Sequence, residues 1–162
     1  MNTYSIMQVL GLLVIANGSP ILVKRLFGNR YSLPIDRGIR LRDGKPVFGA
    51  SKTVRGIAVS LIATTLLAPL LGLHWSVGLL AASMAMAGDL ISSFTKRRLG
   101  VPSSGMAVGL DQIPESLLPA LALMTTLNLT PIDVGVIVVL FFFGELVLSR
   151  VMYRLGIRDR PY

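Results

Sequence analysis

The chain contains no cysteine and a single histidine, His74. The first absence excludes disulfides, thiolate metal sites and thiol nucleophiles, and it leaves the redox compartment undetermined. The second excludes a histidine-rich metal site. Charge is scarce as well: 15% of the 162 residues are charged, against 52% hydrophobic. Acids are scarcer than bases, 8 against 16, which leaves a formal net charge of +8. A soluble domain of this length has too little interior to hide so much apolar surface. The long uncharged runs are those of membrane-crossing helices. No repeat and no low-complexity segment interrupts them.

What is present predicts an all-α polytopic membrane protein, a single membrane domain over 1–162 built as a bundle of about five transmembrane helices. The apolar segments cover about 3–23, 56–73, 75–94, 114–129 and 132–152. Each approaches or reaches the roughly 17–25 residues that a helix needs to cross the hydrocarbon. Helix is the expected form because lipid offers no partner to a free backbone N–H or C=O. The first span lacks a basic leader and its cations follow it, so it reads as retained rather than as a signal peptide.

The cations are sorted to one side. Nine lie in 24–55, three are Lys96, Arg97 and Arg98, and the rest are Arg150, Arg154, Arg158 and Arg160. The opposite side carries only 1–2, the turn at 72–75 and 128–133. By the positive-inside rule the loops 24–55 and 95–113 and the tail 153–162 are cytoplasmic and the N-terminus lies outside, in the cell membrane. Cations beside apolar segments read as topology determinants and as contacts to anionic membrane lipids, not as a nucleic-acid surface. Thr130-Pro131-Ile132-Asp133 is a capping box with proline at the first helical position, which starts the last span. His74 and Trp75 suit an interfacial belt.

Polar groups inside the spans are few, and each needs a reason. Asp89 lies seven residues before Lys96, about 10 Å below the basic border. Asp89, Ser92, Ser93 and Lys96 fall at i, i+3, i+4 and i+7 and so share one helical face. An intramembrane acid is a functional candidate; the alternative is a structural ion pair with a neighbouring cation. Asn17 and Glu145 sit at similar depth on the same side, where interhelical hydrogen bonding is the competing explanation. Asp111 and Glu115 fall at i and i+4 where the fourth span begins. The helix dipole suffices for Glu115, whereas Asp111, in the loop facing Lys96–Arg98, is placed to join Asp89 around a divalent cation such as Mg²⁺. The stretch Gly49-Ala50-Ser51-Lys52-Thr53-Val54-Arg55 runs straight into the second span. A helix N-terminus with a glycine, hydroxyls and two cations is an anion site, unless Lys52 and Arg55 are snorkelling anchors. It is not a Walker A sequence.

These features describe a shallow pocket at headgroup level, rich in cations and holding two candidate metal carboxylates. A nucleoside triphosphate enters such a pocket from water and a lipid phosphate from the bilayer, and joining them is phosphoryl or nucleotidyl transfer.

Several segments carry a family resemblance. Ala16-Asn17-Gly18-Ser19-Pro20, Pro34-Ile35-Asp36, Arg42-Asp43-Gly44-Lys45, 48–56, 88–100 and Leu110-Asp111-Gln112 resemble, in order, CDP-archaeol synthases. The resemblance implies a CTP-dependent nucleotidyltransferase that makes a CDP-lipid and pyrophosphate from CTP and a lipid phosphate with Mg²⁺, in phospholipid biosynthesis. It implies five helices with the active site in the cytoplasmic loops. Asp89 and Asp111 match the metal-binding acids and stand with Lys96 and Arg97 as catalytic residues. Gly49, Ser51, Lys52, Thr53, Arg55, Ser92, Arg98 and Gln112 stand as the CTP-phosphate contacts. Asn17, Asp36 and Asp43 stand as lipid-phosphate or supporting polar residues. The family is similar in its C-terminal motifs to the much larger CDP-diglyceride synthases. Those carry a Lys-Asp pair and a His-Gly-Gly stretch where this chain has 100–105, without an acid until Asp111.

A lipid phosphate is already ionised at neutral pH, so the reaction needs no strong general base and loses nothing by the shortage of histidine. The competing readings are CDP-diacylglycerol synthesis from phosphatidate, a non-catalytic module that binds anionic lipid, and a small transporter. The last requires polar residues in the outer halves of the spans, which are almost devoid of them.

Overall fold

The computed structural model describes residues 2–103 and 105–156. Arg158 and Arg160, part of the third basic region, and most of the predicted tail lie outside the described residues. The described chain forms α1 (Thr3–Phe27), α2 (Val54–Leu67), a 3₁₀ turn at Ala68–Leu71, α3 (Trp75–Arg98), α4 (Gln112–Ala122) and α5 (Pro131–Arg154). Four helical stretches, Thr3–Phe27, Val54–Leu71, Trp75–Arg98 and Pro131–Arg154, are long and apolar enough to cross a membrane. The shortest has 18 residues, about 27 Å, close to the thickness of the hydrocarbon.

The fourth predicted segment differs. Instead of a helix over 114–129, α4 has 11 residues and ends at Ala122, about 16 Å of rise. Consecutive turns then carry the chain to Asn128, with Leu127 N–H bonded to the Leu123 carbonyl at 2.9 Å and Asn128 at φ +50. Pro119 removes a backbone donor inside the helix. The β-branched Thr125 and Thr126 then favour it little. The helix also begins two residues early. Asp111 Oδ2 accepts the Ala107 N–H at 3.1 Å and Gln112 Oε1 accepts the Gly109 N–H at 2.8 Å, so these side chains shape the lead-in. The capping box forms as read: Thr130 Oγ1 accepts the Asp133 N–H and Asp133 accepts the Thr130 N–H.

Neighbours in sequence are neighbours in space from α1 to α5, and α1 also packs on α3 and α5. The core is a seam of Val9, Leu12, Leu13 and Ala16 against Ala81, Ala82 and Ala85 of α3, closed by Ala120, Leu123 and Ile137. Pro20 inside α1 has no N–H to offer the Ala16 carbonyl. Ser60 of α2 donates to that carbonyl at 2.8 Å and replaces the missing partner. Gly88 lets α4 press against α3: a Cβ there would stand 2.3 Å from the Pro114 carbonyl oxygen.

Hydrogen bonds identify the two ends of the bundle. The Asn2 N–H donates to Asp133 Oδ1 at 3.1 Å, and Gln8 Nε2 donates to the Leu71 carbonyl at 2.8 Å. At the other end Arg25 reaches the Gly156 carbonyl, and Lys45 Nζ donates to the Arg98 carbonyl at 2.8 Å. The basic regions therefore share one end, and the start of α1 lies at the opposite one.

Candidate active site

The site is assembled where the last turns of α3 meet the N-terminal ends of α2 and α4. Asp89 projects from α3 and pairs with Lys52, the residue before the N-cap of α2. Glu115, in the first turn of α4, lies beside Asp89. Burial by itself would lower the Lys52 ammonium pKa. The Asp89 carboxylate outweighs burial, with Glu115 and Asp111 adding to it, and holds Lys52 above the ordinary lysine value. A second pair stands beside the first: Lys96 Nζ lies 2.6 Å from Asp111 Oδ1 and also donates to the Gly105 carbonyl at 3.1 Å. Three carboxyl groups and two ammonium groups, from four segments of the chain, thus meet at the basic end. Glu145 of α5 is near enough to act on Glu115 electrostatically.

The arginines are engaged differently. Arg97 is buried, and its guanidinium donates to the Pro102 carbonyl at 3.0 Å, Ser103 Oγ at 3.2 Å and the Phe48 carbonyl at 3.4 Å. Arg98 binds Asp43 through both carboxylate oxygens, at 2.8 and 2.7 Å, and also the Lys45 and Pro46 carbonyls. Arg55 holds the Gly28 carbonyl at 3.0 Å and the Arg30 carbonyl. These guanidinium groups tie the loops to the bundle, which suits a rigid fork with several donors. The lysines at the centre face carboxylates, partners that an incoming phosphate can replace.

The remaining predicted residues have the following local surroundings. Gly49, at φ +91, leaves room for Ser103, whose Oγ a Cβ would approach to 2.2 Å. Thr53 caps α2 by accepting the Gly56 N–H at 3.1 Å. Ser51 is exposed. Ser92 is buried and donates to the Asp89 carbonyl at 2.9 Å, and the buried Ser93 hydroxyl has no hydrogen-bond partner among the described residues. Gln112 is buried under the Gly109 turn. Asn17 donates to its own helix, at the Leu13 carbonyl, 3.1 Å away. Asp36 is buried in the first loop and accepts N–H groups from Gly38, Phe48 and Gly49 at 3.0, 2.9 and 2.8 Å. Burial alone would raise its pKa, but those donors outweigh it and hold the carboxyl below its ordinary value.

Sequence reasoning left Glu115 as a helix-dipole residue and passed over Ser103. An acid in an apolar segment, four residues after Asp111, is the signal that marks Glu115; nothing in the sequence marks Ser103. Among the described residues no group of three or more His, Asp or Glu side chains is arranged to hold a metal ion by itself.

A family model described as CarS-like CDP-archaeol synthase matches residues 4–162. The chain is 34% identical to the CDP-archaeol synthase of Sulfurisphaera tokodaii over 155 residues, 92% of this chain and 90% of that protein. It is 42% identical to the one of Pyrococcus furiosus over 107 residues, 60% of each chain. Its fold is similar to the solved structure of an intramembrane enzyme for archaeal membrane lipid biosynthesis, with a TM-score of 0.70 and 26% identity, covering 85% of this chain and 90% of that one. With the match running through both basic loops and nearly every helix, the chain belongs to the CDP-archaeol synthase family.

Proposed function

We propose that the Lys52–Asp89 and Lys96–Asp111 pairs form the centre at which this membrane enzyme transfers a cytidylyl group from CTP to an archaeal lipid phosphate. The family carries the reaction class. The observation that supports this location is the pair of lysine–carboxylate contacts, Lys52 with Asp89 and Lys96 with Asp111, at the basic end of the bundle. A phosphate oxygen of the lipid attacks the α-phosphorus of CTP. One P–O bond forms, the bond from the α-phosphorus to the α,β-bridging oxygen breaks, and pyrophosphate leaves with the bond electrons. No proton has to be removed from the nucleophile. Negative charge grows on the leaving pyrophosphate and is redistributed over the α-phosphoryl oxygens. Lys52 and Lys96 turn from their carboxylates toward those oxygens and stabilise that charge, the kind of preorganised electrostatic stabilisation that dominates many enzymes.

Mg²⁺ is the cofactor in this reading. The donors fit it: Asp89 and Asp111 offer hard carboxylate oxygens, and Mg²⁺ is commonly held by one or two carboxylates together with substrate phosphates. Bound there, the ion supplies neutralisation of phosphate charge. Asp36, Arg97, Arg98 and Arg55 support the loops around the centre. The lipid is a bis-geranylgeranylglycerol phosphate-like ether lipid, and the basic end of the bundle is cytoplasmic.

The test is direct. Purified protein with CTP, Mg²⁺ and the ether lipid phosphate is expected to release pyrophosphate and form a CDP-lipid; phosphatidate in a parallel reaction measures lipid selectivity. Absence of pyrophosphate release with both lipids defeats the reading.

A further inference from the structure

The segment 26–33, the last residues of α1 and the turn after it, shows apolar side chains to its surroundings. Leu26 and Tyr31 are 78% and 80% exposed, and Phe27 and Leu33 are more than half exposed. Tyr31 holds φ at +58, a left-handed conformation that costs free energy in a residue with a bulky side chain. The turn is nonetheless fixed. Arg55, the second residue of α2, donates to the Gly28 carbonyl at 3.0 Å and to the Arg30 carbonyl. The Ser32 hydroxyl donates to the Asn29 carbonyl at 2.7 Å. A fixed turn that holds an aromatic ring and three apolar neighbours outward has the character of an interaction surface.

Its level in the molecule points to the partner. The spanning stretch Val54–Leu71 has 18 residues, a rise of about 27 Å that the hydrocarbon takes up almost entirely. Val54 and Arg55 therefore stand at the border with the headgroups. Arg55 grips the turn directly, and the Val54 N–H donates to the Leu33 carbonyl at 3.0 Å. Tyr31 and Leu33 thus lie within a side chain's length of that border. Charge agrees with this level. Lys24, Arg25 and Arg30 are the only charged side chains before Asp36, and cations beside a span are drawn to anionic headgroups. Tyrosine, with an apolar ring and a polar tip, belongs at that depth.

We propose that 26–33 is an anchor seated in the anionic headgroup layer of the surrounding membrane, and that it positions Lys52 from there. The path to Lys52 is short. The Ile35 N–H donates to the Lys52 carbonyl at 2.9 Å, and Pro34 pairs with Thr53, the N-cap of α2. The segment 33–35 runs as a splint along 52–54, with the anchor at one end and Lys52, facing Asp89, beside the other. A membrane poor in anionic lipid leaves the splint unanchored, and a group held less exactly stabilises the reaction less. The positioning of Lys52 rests on the cytidylyl-transfer reading; the seating of the anchor does not.

The chain has no cysteine, so Tyr31→Cys in the whole protein carries a single nitrobenzoxadiazole label. Arg42→Cys, in the exposed turn 41–44, carries the reference label. Both go into nanodiscs of phosphatidylcholine alone or mixed with phosphatidylglycerol. In the mixed discs the label at 31 is expected to be shielded from acrylamide and quenched by lipid spin-labelled near its headgroup, with the label at 42 showing the reverse. In the neutral discs the shielding at 31 should weaken. Unlabelled wild type, at saturating CTP and one low fraction of lipid phosphate, is expected to turn over about fivefold faster in the mixed discs, and Arg30→Gln to lose most of that gain, the effect of about one basic residue at a charged surface. Acrylamide reaching 31 as freely as 42, or shielding equal in both kinds of disc, overturns the anchor. Shielding lost when each disc holds one copy of the chain gives the face to a second copy and overturns it too. Shielding as expected with equal turnover in the two discs overturns the positioning of Lys52. If wild type makes no CDP-lipid in either disc, the cytidylyl-transfer reading falls, and the quenching still decides the anchor.

Discussion

Asp36 satisfies three backbone donors with two oxygens, one oxygen taking Gly38 and the other taking Phe48 and Gly49. Asp36→Asn replaces one of those acceptors by an amide donor that faces N–H groups. The expected cost is about 1–3 kcal/mol of stability, read as a lower thermal unfolding midpoint at neutral pH. The pH dependence follows from the depressed native pKa. A carboxyl of this kind adds stability above its unfolded value, about 3.9, and loses it as pH falls through the lower native value. The gap between wild type and Asp36→Asn should therefore narrow as pH drops below about 4; a constant gap rejects this account. At the centre, Asp89→Asn removes the partner of Lys52, and Asp111→Asn that of Lys96. Each should reduce pyrophosphate release by about a hundredfold or more, with binding of anionic vesicles retained. A purely lipid-binding protein gives the opposite pattern, insensitive to the acids and sensitive to the cations.

At the scale of elements, α4 is placed by its contact with α3 at Gly88. A Cβ there would meet the Pro114 carbonyl oxygen at 2.3 Å and the Glu115 nitrogen at 2.8 Å, distances that backbone atoms do not tolerate. Gly88→Ala has to displace the start of α4, which carries Gln112 and Glu115 and follows directly on Asp111. It is expected to lose turnover more than tenfold and about 1–3 kcal/mol of stability, the usual cost of overpacking, although no charged group is touched. The capping box of α5 offers the contrasting case. Thr130→Ala removes the acceptor for the Asp133 N–H at the far end of the bundle. About 1 kcal/mol of stability should go, with the KM for CTP unchanged. A rise in that KM would show that the two ends are coupled. The α1–α2 contact follows similar logic, since Ser60 supplies the hydrogen bond that Pro20 withholds from Ala16.

For the whole molecule, the basic end carries both loops and the end of α5, and the opposite end holds the Asn2–Asp133 contact. Lysine and arginine at short loops set orientation during insertion. A reporter fused after Tyr162 is expected to be active in the cytoplasm and one before Met1 outside; the reverse pattern refutes the proposed orientation. High salt should weaken binding of anionic vesicles to the exposed arginines more than it weakens the half-buried Lys52–Asp89 pair, because screening acts mainly on solvent-facing charge.

The sequence by itself determined the membrane class, four of the crossing segments, the sidedness of charge and the start of α5. These properties are local: a run of apolar residues, a count of cations in a loop, or a cap of four consecutive residues, Thr130–Asp133. The reach of α4 was not local, because a helix that ends in successive turns is as apolar as one that continues. Only the tertiary structure decided the partners. Lys52 and Asp89 are 37 residues apart, and Asp43 and Arg98 are 55 apart. Composition describes all of them alike as charges near a membrane surface. Desolvation in the packed bundle requires each buried charge to find an opposite charge or a carbonyl. That requirement, solved in three dimensions, separated the lysines that face carboxylates from the arginines that fasten loops.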